Sequence, residues 1–398
     1  MQKKTGVKKK KNGMSAIIAS LRDIRKGLYP LREILLANLV MIGEIPAPTF
    51  NEDKRIQFIK QRFTEAGLQN CSTDEMGNAL AILHGRQGDT NIVVSAHTDT
   101  IFPVTVDHTI TVLTDSVRGP GVGDNALGSA VVVSLPTILQ HLGIELNSNL
   151  VLMGSTRSLG RGNLAGLRFF LSNTEIPIQA GLCLEGIQLG RLSHNAIGML
   201  RCEIECTVPE EYDWTRFGSA GAIIIMNEII NKILEIPLSR RPHTSIVIGS
   251  IEGGKSFDTV STHTLLRLEI HSESNDMVKS IRDRIKEITS EVSAQTDAVV
   301  TMEIISRRRP GGISFTHPLT RNARRIIKAL EIEPRKSHSA SDLSTFIDHK
   351  IPAITIGISQ GELQSKSGEY IKIKPMFTGV TQLIGLLLSI DQGYCNED

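Results

Sequence analysis

The stretch from Ile92 to Gly128 constrains the fold more than any other part of this chain. It begins with the apolar run IVVSAHTDT, which is typical of a buried strand that ends in polar side chains at His97 and Asp99. Asp124 then follows a glycine-rich turn, GPGVGDN, and precedes an apolar segment that predicts a helix. Open α/β sheets bind ligands at the carboxyl ends of their strands. Histidine and aspartate side chains at this edge are therefore placed to form a metal site.

A third candidate ligand, Glu185, follows the apolar run AGLCL, which predicts another buried strand. A single histidine after a strand is more often a hydrogen-bonded core or loop residue than a ligand. Here, however, His97, Asp124 and Glu185 each lie at the end or the start of a predicted element. Histidine nitrogen and carboxylate oxygen are common zinc ligands. The three residues together favour a metal centre.

The order of predicted elements indicates two domains within the 398 residues. Strands alternate with helices in residues 15–189 and 307–398, which predicts an α/β domain with a mostly parallel sheet. Residues 190–306 follow the order β-α-β-β-α-β, which is typical of a ferredoxin-like α+β fold. We therefore expect this second domain to interrupt the first.

The first 14 residues form a lysine-rich segment, which we predict to be a disordered tail. Attachment to nucleic acid or to an anionic membrane is one alternative, and translation from a start codon upstream of Met14 is another. No long apolar segment follows the lysines, and the net charge is only +2. The five cysteines include no CxxC pair, which agrees with a reducing compartment. We expect a cytoplasmic protein without nucleic-acid or membrane partners.

The wording of several motifs resembles one enzyme family. SAHTDT, GPGVGDNALG and CLEG, followed by IPAIT and GEY in the same order, are similar to motifs of the co-catalytic di-zinc peptidases and amidohydrolases. That family includes tripeptide aminopeptidase, carboxypeptidase G and aminoacylase. The resemblance extends from about Leu31 to about Ile390. It implies hydrolysis of peptides or N-acyl amino acids, and a homodimer formed through a lid at residues 190–306.

The resemblance assigns roles to four residues of the central motifs. It implies that His97, Asp124 and Glu185 bind one zinc ion and that Asp99 orients the imidazole of His97. The family uses five protein ligands for two metal ions, with the aspartate bridging both, and a glutamate as general base. The protein ligands of one metal are therefore complete in this chain.

The ligands of the second metal and the base are replaced. Arg157 and Ser158 stand where the family has two glutamates, the general base and a ligand of the second metal, and Ser365 stands where it has a histidine. We expect at most one zinc ion per chain, or none. Because a guanidinium cannot bind zinc, Arg157 is predicted to take the place of the missing cation against Asp124 or Glu185. The alternative is that it points into solvent.

The lid motifs differ from the family in the same way. Tyr212, Asp258 and His271 stand where the family has a histidine, an asparagine and an arginine that help to bind the substrate carboxylate and polarise its scissile carbonyl. Tyr212 and His271 retain hydrogen-bond donors, whereas Asp258 would repel a carboxylate.

Two functional hypotheses remain open. In the first, the chain is a peptidase-like protein that binds a peptide or an amino-acid-derived ligand but is inactive or strongly impaired as an enzyme. In the second, it is an active one-zinc amide hydrolase, an aminopeptidase or deacylase. Its base would then come from Glu362, His338 or Glu369.

Overall fold

The structure, a computed structural model, describes residues 3–209, 220–339, 341–363 and 368–397. It divides into two compact units, which consist of Met1–Ala196 with Gly312–Asp398 and of Ile197–Gly311. The boundaries predicted from the sequence, 189/190 and 306/307, lie a few residues earlier. Each unit is described separately below.

The helices follow the predicted order. They are α1 (Lys3–Leu28), α2 (Arg32–Gly43), α3 (Asp53–Glu65), α4 (Leu127–His141), α5 (Ala165–Asn173), α6 (Ala222–Leu234), α7 (Asn275–Gln295), α8 (Pro318–Ala329), α9 (Leu343–Asp348) and α10 (Ile373–Asp391).

The strands range from two-residue bridges to ten-residue strands. They are β1 (Gln69–Thr73), β2 (Ala79–Leu83), β3 (Asn91–His97), β4 (Thr111–Val112), β5 (Ser116–Arg118), β6 (Asn149–Ser155), β7 (Ile178–Glu185), β8 (Arg191–Ser193), β9 (Asn195–Ala196), β10 (Gly198–Thr207), β11 (Thr244–Gly253), β12 (His263–Ser272), β13 (Val299–Arg308), β14 (Gly311–Gly312), β15 (Arg335–Lys336), β16 (Ala353–Gly357), β17 (Gly361–Glu362) and β18 (Tyr370–Lys372).

The first unit is built on a sheet with the strand order β1-β2-β6-β3-β7-β16-β8-β15. Its centre is parallel, because β3 pairs in parallel with both β6 and β7, and β7 pairs in parallel with β16. All seven residues of β3 are buried, as expected for a strand covered by helices on both faces. The predicted α/β class with a mostly parallel sheet is confirmed. The parallel pairing also puts the carboxyl ends of β3 and β7 side by side.

Two long apolar helices belong to the core of the first unit. The segments Val122–His141 and Ile373–Asp391 are long and apolar enough to cross a membrane by length and composition. However, 89% and 78% of the most apolar 18-residue stretch of each segment is buried within the protein. Burial of this extent is typical of core helices, and we assign both segments to the core.

The second unit is a four-stranded antiparallel sheet in the order β11-β12-β10-β13. The chain order β10-α6-β11-β12-α7-β13 matches the predicted ferredoxin-like arrangement. Alternate residues of β10 are buried, among them Cys202, Ile204 and Cys206, and they pack with apolar residues of α6 and α7. These two cysteines are therefore apolar core residues of the second unit.

The N-terminal helix begins earlier than the sequence analysis expects. α1 starts at Lys3 and so includes most of the segment predicted to be a disordered tail. From Met14 onward, apolar side chains at helical spacing, such as Ile17 and Leu21, are buried in the core of the first unit. A helix nucleated there extends readily through lysines, which are good helix formers.

Candidate metal centre

The structure brings His97, Asp124 and Glu185 together. His97 is the last residue of β3 and Glu185 is the last residue of β7, so the parallel pairing of these strands places both at one edge of the sheet. Asp124 lies in the turn Val122–Ala126, directly before α4. One ligand atom from each of the three side chains lies within 4.8 Å of the others.

The imidazole of His97 lies between two aspartates. Its Nε2 is 3.0 Å from Oδ1 of Asp124, and its Nδ1 is 3.1 Å from the carbonyl oxygen of Asp99 and 3.4 Å from Oδ1 of Asp99. Burial alone would lower the pKa of His97, but hydrogen bonds to the two carboxylates raise that pKa well above its usual range. A proton on Nε2 would be shared with Asp124 and would neutralise part of the acidic cluster. A metal ion bound at Nε2 would replace that proton.

The pKa values of the two carboxylates in the cluster are shifted in opposite directions. Burial and the nearby charge of Asp124 raise the pKa of Glu185, while His97 and Arg191 act in the opposite direction. Burial also raises the pKa of Asp124, but the hydrogen bond with His97 outweighs it, so this pKa lies below its usual value. Two carboxylates and an imidazole at this spacing fit a divalent cation such as zinc.

Arg157 does not compensate the charge of this cluster. Its Nη1 lies 3.2 Å from Sδ of Met76, and its guanidinium lies over the ring of Phe50, 5.9 Å from the centroid. Its backbone is left-handed, with a φ of 52°, and its N–H donates to Oε1 of Glu52 at 2.8 Å. The prediction that Arg157 lies against Asp124 or Glu185 is therefore wrong.

The guanidinium that does act on both acids is that of Arg191, at the start of β8. Its charge adds to the effect of His97 in lowering the pKa of Asp124, and it opposes the burial that raises the pKa of Glu185. Its Nε donates to Oγ of Ser193 at 3.0 Å. Sequence reasoning missed Arg191, since no motif includes it.

The loop after β6 is joined to the metal centre through Asp99. Oδ2 of Asp99 accepts from the backbone N–H of Ser158 at 2.9 Å and of Leu159 at 2.8 Å, and from Oγ1 of Thr49 at 2.8 Å. The Ser158 side chain is buried, with its Oγ 3.5 Å from that of Ser155. Among the described residues, no second cluster of three His, Cys, Asp or Glu side chains has the spacing of a metal site.

Glu369, one of the three candidate bases, lies against the glycine-rich turn. Its carboxylate accepts from the backbone N–H groups of Gly121 at 2.9 Å, Gly123 at 2.6 Å and Asp124 at 2.9 Å. Burial raises the pKa of Glu369 to about 7. In the sequence, the glycine-rich turn is the one signal of this contact, because the buried N–H groups of such a turn require an acceptor. The other two proposed bases, Glu362 and His338, are exposed.

The remaining predicted positions are only partly described. Tyr212 and Ser365 lie outside the described residues. Asp258 is exposed and accepts from Oγ of Ser256 at 2.5 Å. His271, within the sheet of the second unit, lies 2.7 Å from a carboxylate oxygen of Glu269. Their predicted role in substrate binding stays a prediction.

Comparison with known proteins gives one family match and several similar structures. Residues 78–156 match the model of peptidase family M28. A tripeptidase from Staphylococcus aureus superimposes with a TM-score of 0.72 at 16% identity, covering 91% of this chain and 99% of its own. For the di-peptidase Dug1p of Saccharomyces cerevisiae the TM-score is 0.79 at 12% identity, with 94% and 99% covered.

A third similar structure is a Bacillus subtilis protein described as a dinuclear metal-binding peptidase of the M20 family. Its TM-score is 0.63 at 12% identity, with 91% of this chain and 99% of its own covered. No curated protein sequence matches this chain significantly. Identities this low establish a common fold and nothing finer. The chain therefore resembles the co-catalytic zinc metallopeptidases, in fold along 91% to 94% of its length and in sequence over residues 78–156.

Proposed function

We propose that this protein is a metallopeptidase-type scaffold that binds one zinc ion through His97, Asp124 and Glu185 and hydrolyses amides poorly or not at all. One observation carries the proposal. The three ligands converge, whereas the neighbouring loop carries a guanidinium turned toward Met76 and a serine in place of two acids. The site thus keeps the three side chains that would bind a metal ion, but it lacks the two acids that would transfer protons and bind a second metal ion.

The chain's own groups divide the work of such a site. Zinc supplies an electrophile for a carbonyl oxygen and lowers the pKa of bound water. Asp99 holds the Nδ1 side of the His97 imidazole, which leaves Nε2 facing the carboxylate of Asp124. Arg157 cannot accept a proton from water. Loss of a general base costs about 10² to 10⁴ in rate.

A ligand and an assembly belong to the same proposal. The similar structures include peptidases, which supports a peptide or an amino-acid-derived ligand for this chain. A homodimer formed through residues 190–306 is supported by apolar side chains on the edge strands of the second unit, and a cytoplasmic location stays a prediction. Val247 and Ile251 of β11, and Val299 and Ile304 of β13, are 47% to 64% exposed. Light scattering of the purified protein would give the mass of the assembly.

An active one-zinc amide hydrolase is the second candidate. The pKa of Glu369, about 7, suits a general base at neutral pH. Against this role, one oxygen of the Glu369 carboxylate accepts from Gly121 and the other from Gly123 and Asp124. A base needs a lone pair directed at water, and these three N–H groups occupy three of the roughly four acceptor sites of the carboxylate.

A hydrolysis screen tests the proposal. Zinc-loaded protein is assayed against dipeptides, tripeptides and N-acyl amino acids, beside His97→Ala and the control His141→Ala, whose imidazole is exposed at the end of α4. We expect at most weak turnover above that of His97→Ala. Turnover in the ordinary range of enzymes, about 1–10³ per second, that His97→Ala abolishes and His141→Ala retains would overturn the proposal in favour of the one-zinc hydrolase.

A further inference from the structure

Glu369 connects two segments that are far apart in the sequence. It directly precedes β18, which pairs antiparallel with β5 so that Tyr370 lies opposite Arg118. The carbonyl oxygen of Glu369 accepts from the N–H of Gly119 at 3.1 Å. The backbone of Glu369 is therefore held beside the start of the glycine-rich turn. Its side chain, which is 5% exposed, reaches into the turn itself.

The glycine-rich turn is shaped around this carboxylate. Gly121 is left-handed, with a φ of 72°, a conformation that favours glycine. A Cβ at Gly123 would lie 3.2 Å from Oε1 of Glu369 and 2.6 Å from Cγ2 of Ile187. Successive N–H groups can thus converge on one anion, as in the anion-binding concavities of other turns. Without an acceptor, these buried N–H groups would each cost about 1–3 kcal/mol.

We propose that Glu369 is a positioning residue for the metal centre, which fixes Asp124 by accepting its backbone N–H together with those of Gly121 and Gly123. The expected effect on metal affinity rests on the proposed metal-binding function, whereas the hydrogen bonds between Glu369 and the turn do not. The carboxylate holds the turn in the metal-free protein, so Asp124 is already in position when a metal ion binds. Preorganisation of this kind strengthens binding, because less ordering remains to be done.

The geometry also indicates which substitutions are informative. Glutamine is nearly the same size as glutamate, but it has a single acceptor oxygen, and its NH₂ group would face an N–H donor of the turn. Aspartate keeps both oxygens and the charge on a side chain shorter by one methylene. Glu369→Gln therefore removes acceptors at constant size, and Glu369→Asp keeps them at a shorter reach.

Hydrogen exchange tests the contact in metal-free protein. Peptides that cover residues 119–126 are compared in the wild type, Glu369→Gln and the control Glu333→Gln, whose side chain is exposed. We expect at least about a tenfold faster exchange at Gly121, Gly123 and Asp124 in Glu369→Gln, because each loses or weakens its acceptor. The control should exchange like the wild type. Equal exchange in all three proteins would overturn the proposal.

Cobalt titration tests the consequence for metal binding. Co²⁺ is the probe, and its visible absorption reports the coordination geometry. We expect an affinity about 10- to 100-fold lower in Glu369→Gln, with an altered spectrum, and partial rescue in Glu369→Asp. A lower melting temperature with wild-type affinity and spectrum would mean a purely structural role and would overturn the positioning role.

The two measurements separate this inference from the proposed function. If the wild type binds no Co²⁺, the proposed function fails, and the exchange comparison still decides whether Glu369 holds Asp124. If Glu369→Gln does not fold, Glu369→Asp replaces it in both experiments. Because its carboxylate has a shorter reach to the three N–H groups, we then expect faster exchange and weaker Co²⁺ binding than in the wild type. Wild-type exchange and affinity in Glu369→Asp would overturn the inference.

Discussion

Oδ2 of Asp99 accepts a hydrogen bond from the backbone N–H of Ser158, with 2.9 Å between oxygen and nitrogen. The contact joins the end of β3, where His97 lies, to the loop that follows β6. Because it uses the backbone of Ser158, it does not depend on which side chain that position carries. The loop can therefore keep its place while residues 157 and 158 differ from the two acids of the resembled family.

Substitution of Asp99 by asparagine should weaken metal binding. The N–H groups of Ser158 and Leu159 and the hydroxyl of Thr49 all donate to Oδ2, so the single oxygen of the amide can keep them. The NH₂ group then takes the place of Oδ1 beside Nδ1 of His97, where a donor meets the ring and the negative charge is lost. We expect zinc affinity to fall about 10- to 100-fold and the free energy of unfolding to fall by about 1–3 kcal/mol. Competition with a chelator and urea denaturation measure the two effects.

The matched control is Asp107→Asn, whose carboxylate is exposed and bonds only within its own loop, to Thr109. It should leave zinc affinity unchanged. An Asp99→Asn protein with wild-type affinity would show that the orientation of His97 does not depend on this carboxylate.

The double substitution Arg157→Glu, Ser158→Glu should create amide hydrolysis. The backbone at both positions is held by acceptors outside the loop, Glu52 for Arg157 and Asp99 for Ser158, so new side chains can project from an existing position. We expect turnover of at least about tenfold above the wild type, since a restored base is worth about 10² to 10⁴ when well placed. The assay is the peptide and N-acyl amino acid screen.

The control for this gain is Arg157→Gln, Ser158→Gln, which has similar side-chain size without a base. Equal rates in the Glu and Gln proteins would mean that the missing acids do not limit catalysis.

Acidification should remove stability that Glu269 provides to the second unit. A hydrogen bond from His271, together with Arg201, lowers the pKa of Glu269 to about 2 from its usual 4.5, although burial opposes this. Since the folded pKa lies below the unfolded value, the stabilisation is complete above about pH 4.5 and is lost as the pH falls toward 2. A full shift would correspond to roughly 3 kcal/mol, which solvent screening of this half-exposed group reduces to about 1 kcal/mol.

The measurement is the difference in unfolding free energy between the wild type and Glu269→Gln. We expect about 1 kcal/mol at pH 6 and no difference near pH 2. Glu235→Gln, with an exposed side chain after α6, should show no such dependence. A difference that stays constant from pH 6 to pH 2 would contradict the assigned pKa.

The ligands could be predicted from the sequence because each lies where a regular element ends or begins. The apolar runs before His97 and Glu185 have the pattern of buried strands, and the glycines before Asp124 mark a turn. The hydrogen bonds of Glu369 join residues about 245 positions apart, and no local pattern encodes them. The direction of Arg157 depends on a left-handed backbone and on contacts with Met76 and Phe50, which spacing alone does not specify.

The segment HTITVLTD shows the limit of polar and apolar alternation as a signal for a strand. HTITVLTD alternates from His108 to Asp115, but only Thr111–Val112 form a strand. Asp107 accepts from the backbone and side chain of Thr109, and His108 lies 3.1 Å from the carbonyl oxygen of Pro103. These local bonds hold the first residues of the segment in a loop.

The zinc content of the purified protein after equilibration with zinc and removal of the excess tests the central claim most directly. The account predicts one zinc ion per wild-type chain, one in His141→Ala and none in His97→Ala. Two zinc ions per wild-type chain would contradict it by showing that a second site persists without the replaced acids. No zinc in the wild type would equally contradict it, because His97, Asp124 and Glu185 would then form an acidic cluster without a metal.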